Sequence, residues 1–170
     1  MSDRTPLLVL GLGNVLLGDD GAGAQAIEQL LDQFDIPDGV QVYDGGTLGL
    51  SLLPYVEQAE AVIILDAVRA EAPAGSIVRV SGEDVAPVVA TRLSPHQFGV
   101  SDLLDGARWL GHYPGTVLLL GVVPETIELR FGLSPHVAAA IPGLVALACE
   151  ECASMGFPFH RKQEAMARHA

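Results

Sequence analysis

The hydrophobic residues of this chain form short continuous runs that are separated by longer stretches with helical periodicity. Continuous runs lie at 7–10, 61–65 and 116–123, and such runs are typical of parallel strands buried on both faces. At 21–34 and 134–154 the apolar residues instead recur every three or four positions, which is the spacing of one helix face. This alternation predicts an α/β fold in which a mainly parallel sheet lies between helical layers.

Two shorter segments complete the predicted sheet. Residues 40–43 form a β-type run after turn residues at 36–39. Residues 75–80 alternate as a strand, and the preceding connection, 71–74, is too short for a crossover helix. This strand is therefore predicted to run antiparallel at an edge of the sheet. The other predicted elements are helices at 48–56 and 98–110 and a loop at 82–94.

Length and composition fit one domain. The chain has 170 residues, of which 49% are hydrophobic, and this is enough for one well-filled core but short for two. We assign residues 1–156 to a single α/β domain and residues 157–170 to a polar C-terminal tail. No apolar run approaches the roughly 20 residues that span a bilayer, and the first residues do not resemble a secretory signal. A cytoplasmic protein without a membrane partner is expected.

Charge and rare residues exclude several functions. A net charge of −12 without a basic stripe argues against nucleic acid as a partner. Lys162 is the only lysine and lies in the predicted tail, which argues against P-loop and Schiff-base chemistry. The sequence also lacks a Gly-x-Ser-x-Gly nucleophile elbow. Cys149 and Cys152 come late in a predicted helix without two further ligands at suitable spacing, so we interpret them as structural thiols.

The loop after the first strand carries the first candidate site residue. Gly11 and Gly13 resemble the start of a dinucleotide-binding loop, but Leu16 stands where the third glycine is expected. Asp19 and Asp20 would repel a pyrophosphate there, whereas they would attract a cation. Capping of the next helix is the structural alternative for these two acids.

Three further polar residues are candidates for the site, two at the ends of predicted strands and one at the start of a helix. Asp66 comes directly after the buried run 61–65, and a carboxylate there is costly unless it is solvated, paired or bound to metal. Asp44 ends the second strand and could contact a substrate or stabilise its own glycine turn. His96 begins a predicted helix, as a metal ligand or as an ordinary capping residue. A turn or capping role is also the alternative for Asp66.

The predicted topology can bring three of these residues together. If the first and third strands are adjacent and parallel, Asp20 and Asp66 lie on the same edge, where ligands bind in open α/β sheets. The loop that ends in His96 can reach this edge. Two carboxylates and an imidazole suit a divalent transition ion and leave coordination positions open.

Five segments of the chain, in this order, resemble the hydrogenase maturation endopeptidases, which trim the large subunit of nickel-iron hydrogenases. The segments are LGLGNVLLGDDGAG, DGGTLGLSLL, ILDAV, SPHQFGVSDLL and LLGVVPETIELRFGLSP. The resemblance extends from Leu8 to about Gly156. It implies a three-layer α/β/α sandwich around a five-stranded, twisted, mostly parallel sheet with one antiparallel strand.

The resemblance also implies a site and a substrate. Asp20, Asp66 and His96 match the metal ligands of the family and are the expected catalytic residues. The residues expected to contact the precursor near the cut are Asp44, Gly45 and Gly46. The family removes a short C-terminal peptide from the large-subunit precursor after nickel insertion, so nickel is expected to arrive with the substrate. Zinc or cadmium is expected to be able to occupy the same ligands.

The resemblance leaves the chemical mechanism open. A water activated by the cation, or by one of the carboxylates, would attack the peptide carbonyl. The protein is therefore expected to be an aspartyl-type or metal-dependent endopeptidase. The alternatives are a nucleotide-binding α/β protein that uses the glycine loop and Asp44, and a non-catalytic chaperone that inspects the precursor for nickel.

Overall fold

A computed structural model describes residues 3–46, 48–89 and 99–163. The strands are β1 (Thr5–Leu12), β2 (Phe34–Asp35), β3 (Val40–Gly46), β4 (Ala59–Ala67), β5 (Ile77–Ser81), β6 (Thr116–Val122) and β7 (His160–Arg161). The α-helices are α1 (Ala22–Gln33), α2 (Leu53–Gln58), α3 (Val85–Val89), α4 (Val100–Trp109) and α5 (Pro135–Ser154). Short 3-10 turns lie at Gly18–Gly21, Gly49–Leu52 and Gly82–Asp84.

Five strands form the main sheet in the order β3-β1-β4-β6-β5. The pairs β1–β3, β1–β4 and β4–β6 are parallel, and β5 pairs antiparallel with β6 at an edge. The predicted mostly parallel sheet with one antiparallel strand is confirmed. The chain leaves β1 toward β3 on one side and returns to β4 on the other. The carboxyl ends of β1 and β4 therefore flank a topological switch point, where ligands bind in folds of this kind.

Helices cover both faces of the sheet and create two hydrophobic cores. Along β4, Ile63 and Leu65 face the core beneath α1 and α5, while Val62 and Ile64 face the core beneath α2 and α4. All four side chains have no exposed surface. Because the residues from Val62 to Leu65 are all buried, on one face or the other, this part of β4 appears in the sequence as a continuous apolar run. The predicted three-layer α/β/α arrangement is confirmed.

The prediction of a loop at 82–94 is wrong for residues 82–89, the part of this segment that the structure describes. The structure has a 3-10 turn at Gly82–Asp84 and the helix α3 there. Val85 is completely buried in the core beneath α2 and α4, and this burial stabilises a helix too short to show a periodic pattern. Pro87 is compatible with α3 because it lies in the first helical turn, where its missing N–H has no helical partner.

The folded domain extends past residue 156. Strand β7 pairs antiparallel with β2, and Phe157 and Phe159 pack against the core beneath α1 and α5. The backbone N–H of Lys162 donates to the carbonyl oxygen of Gln33 at 2.9 Å. The hydrophilic composition of this segment predicts a tail, but its two phenylalanines hold residues 157–162 against the domain.

Helix α5, with 20 residues, is long and apolar enough to cross a membrane by length and composition alone. Its buried side chains lie at helical spacing on one face and belong to the core shared with α1. They are Val137, Ile141, Leu144, Val145, Ala148 and Cys152. This packing identifies α5 as a core helix of the α/β fold.

The two cysteines of α5 are expected to react slowly. Burial is the main cause that raises the pKa of Cys152 to about 12 and also raises the pKa of the half-buried Cys149. Both thiols are therefore neutral at pH 8, and Cys152 is only 1% exposed. Iodoacetamide should leave Cys152 unmodified in the folded protein and alkylate it after unfolding, as measured by peptide mass spectrometry. Rapid alkylation of Cys152 in the folded protein would contradict this packing.

Candidate active site

Asp20 lies just beyond the end of β1, on the inner side of the first loop. Gly13 turns the chain with a φ of 114°, and the 3-10 turn Gly18–Gly21 then carries Asp20 back toward the sheet. The side chain is only 2% exposed. Its Oδ2 accepts a hydrogen bond from the backbone N–H of Asn14 at 2.8 Å. The loop therefore closes on Asp20 and holds its carboxylate at the sheet edge.

Asp66 is the penultimate residue of β4 and is half-buried. Its Oδ1 accepts a hydrogen bond from the backbone N–H of Ala67 at 2.8 Å. Burial raises the pKa of Asp66, and the charge of Asp20 raises it further, to about 8. Asp66 thus lies in a partly dehydrated region close to the charge of Asp20, and both effects disfavour ionisation of Asp66.

Gly13 lies between the backbone of Asp20 and the side chain of Asp66. A Cβ atom at this position would collide with the backbone oxygen of Asp20 and would lie 3.6 Å from Oδ1 of Asp66. Only a residue without a side chain fits between them. The structure therefore places Asp20 and Asp66, the acidic pair, together at the switch point between β1 and β4.

The third predicted ligand, His96, lies outside the described residues. The metal-binding and catalytic roles of His96 remain predictions. Within residues 3–46, 48–89 and 99–163, no group of three His, Cys, Asp or Glu side chains could hold a metal ion. The acidic pair nevertheless fits a divalent cation, because carboxylate oxygens are suitable ligands and a cation would relieve the repulsion between them.

The substrate-contact candidates lie on the same edge of the sheet. Asp44 is in register with Gly11 of β1, which is in register with Leu65 of β4. Two strand spacings place Asp44 about 10 Å from β4. Asp44 is exposed, and its Oδ1 accepts a hydrogen bond from the backbone N–H of Gly46 at 2.9 Å. The turn role that the sequence left open for Asp44 is therefore present, and its exposed carboxylate is available for a substrate contact.

Asp19 is a structural residue, whereas the sequence suggested attraction of a cation or capping of the next helix for it. Its side chain has no exposed surface and accepts four hydrogen bonds. The donors are the N–H of Glu125 (2.9 Å), the N–H of Thr126 (3.2 Å), and the N–H (2.7 Å) and hydroxyl (2.8 Å) of Ser134. Burial alone would raise the pKa of Asp19, but these hydrogen bonds outweigh it and lower the pKa. Asp19 thus fixes residues 124–134, the anchored loop, beside the acidic pair.

The anchored loop also pairs with the first loop through its backbone. The N–H of Arg130 donates to the carbonyl of Leu16 at 3.1 Å, and the N–H of Gly18 donates to the carbonyl of Arg130 at 2.9 Å. This pairing leaves Leu129 and Phe131 86% and 80% exposed. With Val15 and Leu16, which are 41% and 49% exposed, they form the apolar rim of the site. Large apolar side chains exposed together are typical of a protein-binding surface.

Replacement of Gly13 by alanine tests the close approach at the acidic pair. Gly13→Ala is expected to cost about 3 kcal/mol of unfolding free energy and to abolish activity at the site, because the new Cβ would displace Asp20. Gly111→Ala is the matched control, since Gly111 also has a positive φ, 76°, but a Cβ there would meet no atom within 4 Å. The control should cost about 1 kcal/mol and keep activity, as measured by urea unfolding and a processing assay. Equal losses in both variants would contradict the crowding at Gly13.

The fold and the acidic pair at its switch point together define an α/β protein with the geometry of an enzyme site. Comparison with known proteins is more specific. The hydrogenase maturation protease family model (HycI) matches residues 24–151. The hydrogenase 2 maturation protease of Escherichia coli is 39% identical over 137 residues, which cover 79% of this chain and 83% of that protein. The hydrogenase expression/formation protein HupD of Rhodobacter capsulatus is 38% identical over 152 residues, covering 88% of this chain and 72% of that protein.

Comparison with solved structures identifies the same family. The hydrogenase maturating endopeptidase HybD from Escherichia coli has a TM-score of 0.86 and 34% identity, covering 92% of this chain and 98% of that chain. The [NiFe] hydrogenase maturation protease HybD from Thermococcus kodakarensis has a TM-score of 0.63 and 27% identity, covering 86% and 98%. The chain belongs to the hydrogenase maturation protease family and is an endopeptidase, a hydrolase that acts in hydrogenase maturation. The predicted family and enzyme class are confirmed.

Proposed function

We propose that this endopeptidase removes a C-terminal peptide from the nickel-loaded large-subunit precursor of a nickel-iron hydrogenase, in the cytoplasm, and that its cleavage is metal-dependent. The observation that carries the proposal is the convergence of Asp20 and Asp66 at the switch point. The proposed third ligand is His96. Nickel is proposed to enter as part of the substrate, held by the precursor, and zinc or cadmium is proposed to be able to replace it on the protein.

The acidic pair supports both recognition and chemistry. The acidic pair attracts a cation. It should therefore bind a precursor that carries nickel more strongly than a precursor without nickel. A divalent ion bound there would polarise the scissile carbonyl and acidify a water molecule. Asp66, half-buried beside a second acid, is suited to accept the proton of the attacking water. Asp20 is held by the N–H of Asn14 and is suited to orient the substrate.

The apolar rim supports a protein as the substrate. Leu129 and Phe131 are more exposed than most large apolar side chains and adjoin the loop that carries Asp20. Burying them against a precursor would contribute favourable free energy close to the scissile bond. A small-molecule site would instead enclose such residues in a concave pocket.

Two variants separate the possible roles of Asp44. Asp44→Asn keeps an oxygen that can accept the hydrogen bond from Gly46 but removes the negative charge, whereas Asp44→Ala removes both. If the carboxylate contacts the precursor, both variants should process it about tenfold more slowly, which corresponds to one lost charged contact. Neither should shift the melting temperature by more than a few degrees. Normal processing by Asp44→Asn would leave Asp44 with only its turn role.

Calorimetry distinguishes metal binding from dinucleotide binding. The wild-type protein should bind Zn²⁺ or Ni²⁺, and binding should be lost in Asp66→Asn and in His96→Ala. Asp32→Asn is the control, because Asp32 is an exposed acid on α1. NAD should not bind with comparable affinity. Tight NAD binding without divalent-ion binding would overturn the proposed metal site and favour the nucleotide-binding alternative.

A further inference from the structure

We infer that a cavity lined by the segments that follow β4 and β6 receives the short C-terminal segment of the precursor, and that Arg69 binds a carboxylate of this segment. The cavity has a volume of about 470 Å³ and lies between segments 69–74 and 123–127, which follow β4 and β6. Arg69 lines it. The inference rests on the proposed function, because it assigns the peptide on one side of the scissile bond to this cavity.

The position of the cavity follows from the sheet. Asp66 pairs in register with Gly121 of β6, and the N–H of Val68 donates to the carbonyl of Val122 at 3.0 Å. Arg69 is three residues beyond Asp66, so their Cα atoms are at most about 11 Å apart. A peptide bond held at the acidic pair therefore lies within a few residues' reach of the cavity.

The opposite wall of the cavity is attached to the acidic pair as well. Glu125 and Thr126 line the cavity, and Asp19 accepts hydrogen bonds from the backbone N–H groups of both. Asp19 precedes Asp20 directly in the chain. The cavity and the acidic pair are thus parts of one connected edge, which allows a single peptide to contact both.

The volume of the cavity limits which part of the precursor can bind in it. About 470 Å³ lies within the range of pockets for small ligands, and it would hold a few residues of extended peptide. Under the proposed function, the N-terminal side of the scissile bond belongs to the body of the large subunit, which is too large to enter. Only the short C-terminal segment fits, and it ends in an α-carboxylate.

The charge of Arg69 agrees with this assignment. Arg69 is exposed, and in the part of the chain that the structure describes it forms no ion pair. The neighbouring acid, Glu125, lies instead 3.7 Å from Nδ1 of His136. The guanidinium is permanently charged and can bind a carboxylate through two parallel N–H donors. In a protein with 21 acidic and 9 basic residues, an unpaired arginine in the cavity marks a place for an anionic group.

Binding of synthetic peptides tests the inference without nickel or cleavage. The probe is the C-terminal segment of a cognate precursor, with either a free carboxylate or a C-terminal amide, and titration calorimetry measures its affinity. Amidation should weaken binding to the wild type about tenfold, and Arg69→Gln should weaken binding of the free acid by a similar factor. The control Arg108→Gln should bind normally, because Arg108 lies over the ring of Tyr113 and does not line the cavity.

The combination of peptide amidation with Arg69→Gln shows whether Arg69 binds the terminal carboxylate. Amidation should have little further effect on Arg69→Gln, since the partner of the carboxylate is already absent. Arg69 could instead bind an acidic side chain of the peptide. In that case, replacing this acid by its amide should weaken binding to the wild type but not to Arg69→Gln, and amidation of the C-terminus should have no Arg69-dependent effect. No peptide binding by the wild type, or equal effects of both neutralisations on wild type and Arg69→Gln, would overturn the inference. Failure of the wild type to cleave a nickel-loaded precursor would instead overturn the proposed function, and the peptide result would stand separately.

Discussion

Asp66→Asn is expected to abolish processing of the precursor while making the metal-free protein more stable. The asparagine keeps an oxygen for the N–H of Ala67 but removes a half-buried charge that lies close to Asp20. Relief of this repulsion should raise the unfolding free energy by about 1 kcal/mol, as is common when a functional site gives up a strained group. Processing should fall at least about 100-fold, since a group that binds the reacting atoms or moves a proton is lost.

These opposite changes are measured on the same preparations. Urea unfolding at pH 8 with a chelator gives stability, and mass spectrometry of the precursor gives processing. Asp32→Asn, on the exposed side of α1, should change neither. Loss of both stability and processing in Asp66→Asn would show that Asp66 supports the fold rather than the reaction.

Asp19→Asn is expected to cause the largest loss of stability among the carboxylate variants. The buried carboxylate accepts four hydrogen bonds from Glu125, Thr126 and Ser134, whereas an amide would turn an NH₂ group toward some of these donors. The unfolding free energy should fall by about 3 kcal/mol or more, and the melting temperature by about 10 °C. Processing should fall as well, because the anchored loop would no longer be held beside the acidic pair.

The pH dependence identifies the cause of this loss. The pKa of Asp19 is lower in the folded protein than in the unfolded chain. Its ionised form therefore adds stability above the unfolded pKa, and this contribution disappears as the pH falls through the folded value. The difference in unfolding free energy between wild type and Asp19→Asn should be full at neutral pH and should shrink below about pH 4. A difference that stays constant into acid would exclude the charged hydrogen-bond network as its origin.

The sequence predicts best the elements whose burial leaves a regular pattern of apolar residues. Strands β1, β4 and β6 are covered on both faces and appear as continuous apolar runs, and β5 is predicted antiparallel because its connection is short. Helix α3 is not predicted, since it depends on burial of Val85 beneath other elements. The packing of residues 157–162 depends on Phe157 and Phe159 reaching a core that is distant in sequence.

The same distinction applies to the site. Asp20 and Asp66 each follow a predicted strand, so the edge rule for parallel sheets can bring them together before any coordinates are known. The role of Asp19 cannot be predicted in this way. Its partners lie 106 to 115 residues away, and three of the four donors are backbone N–H groups, which carry no residue signature. The role of Arg69 cannot be predicted from the sequence either, because the cavity that it lines is formed only when the two loops fold together.

The central claim is tested most directly by the mass of the precursor after incubation with the purified protein. Nickel-loaded and nickel-free large-subunit precursors are each mixed with the wild type and with Asp66→Asn. Only the nickel-loaded precursor with the wild type should lose a C-terminal peptide, and its mass should fall accordingly. Nickel-dependent binding without any change in mass would indicate an inspecting chaperone, and equal cleavage of both precursors would contradict the proposal that the acidic pair recognises nickel.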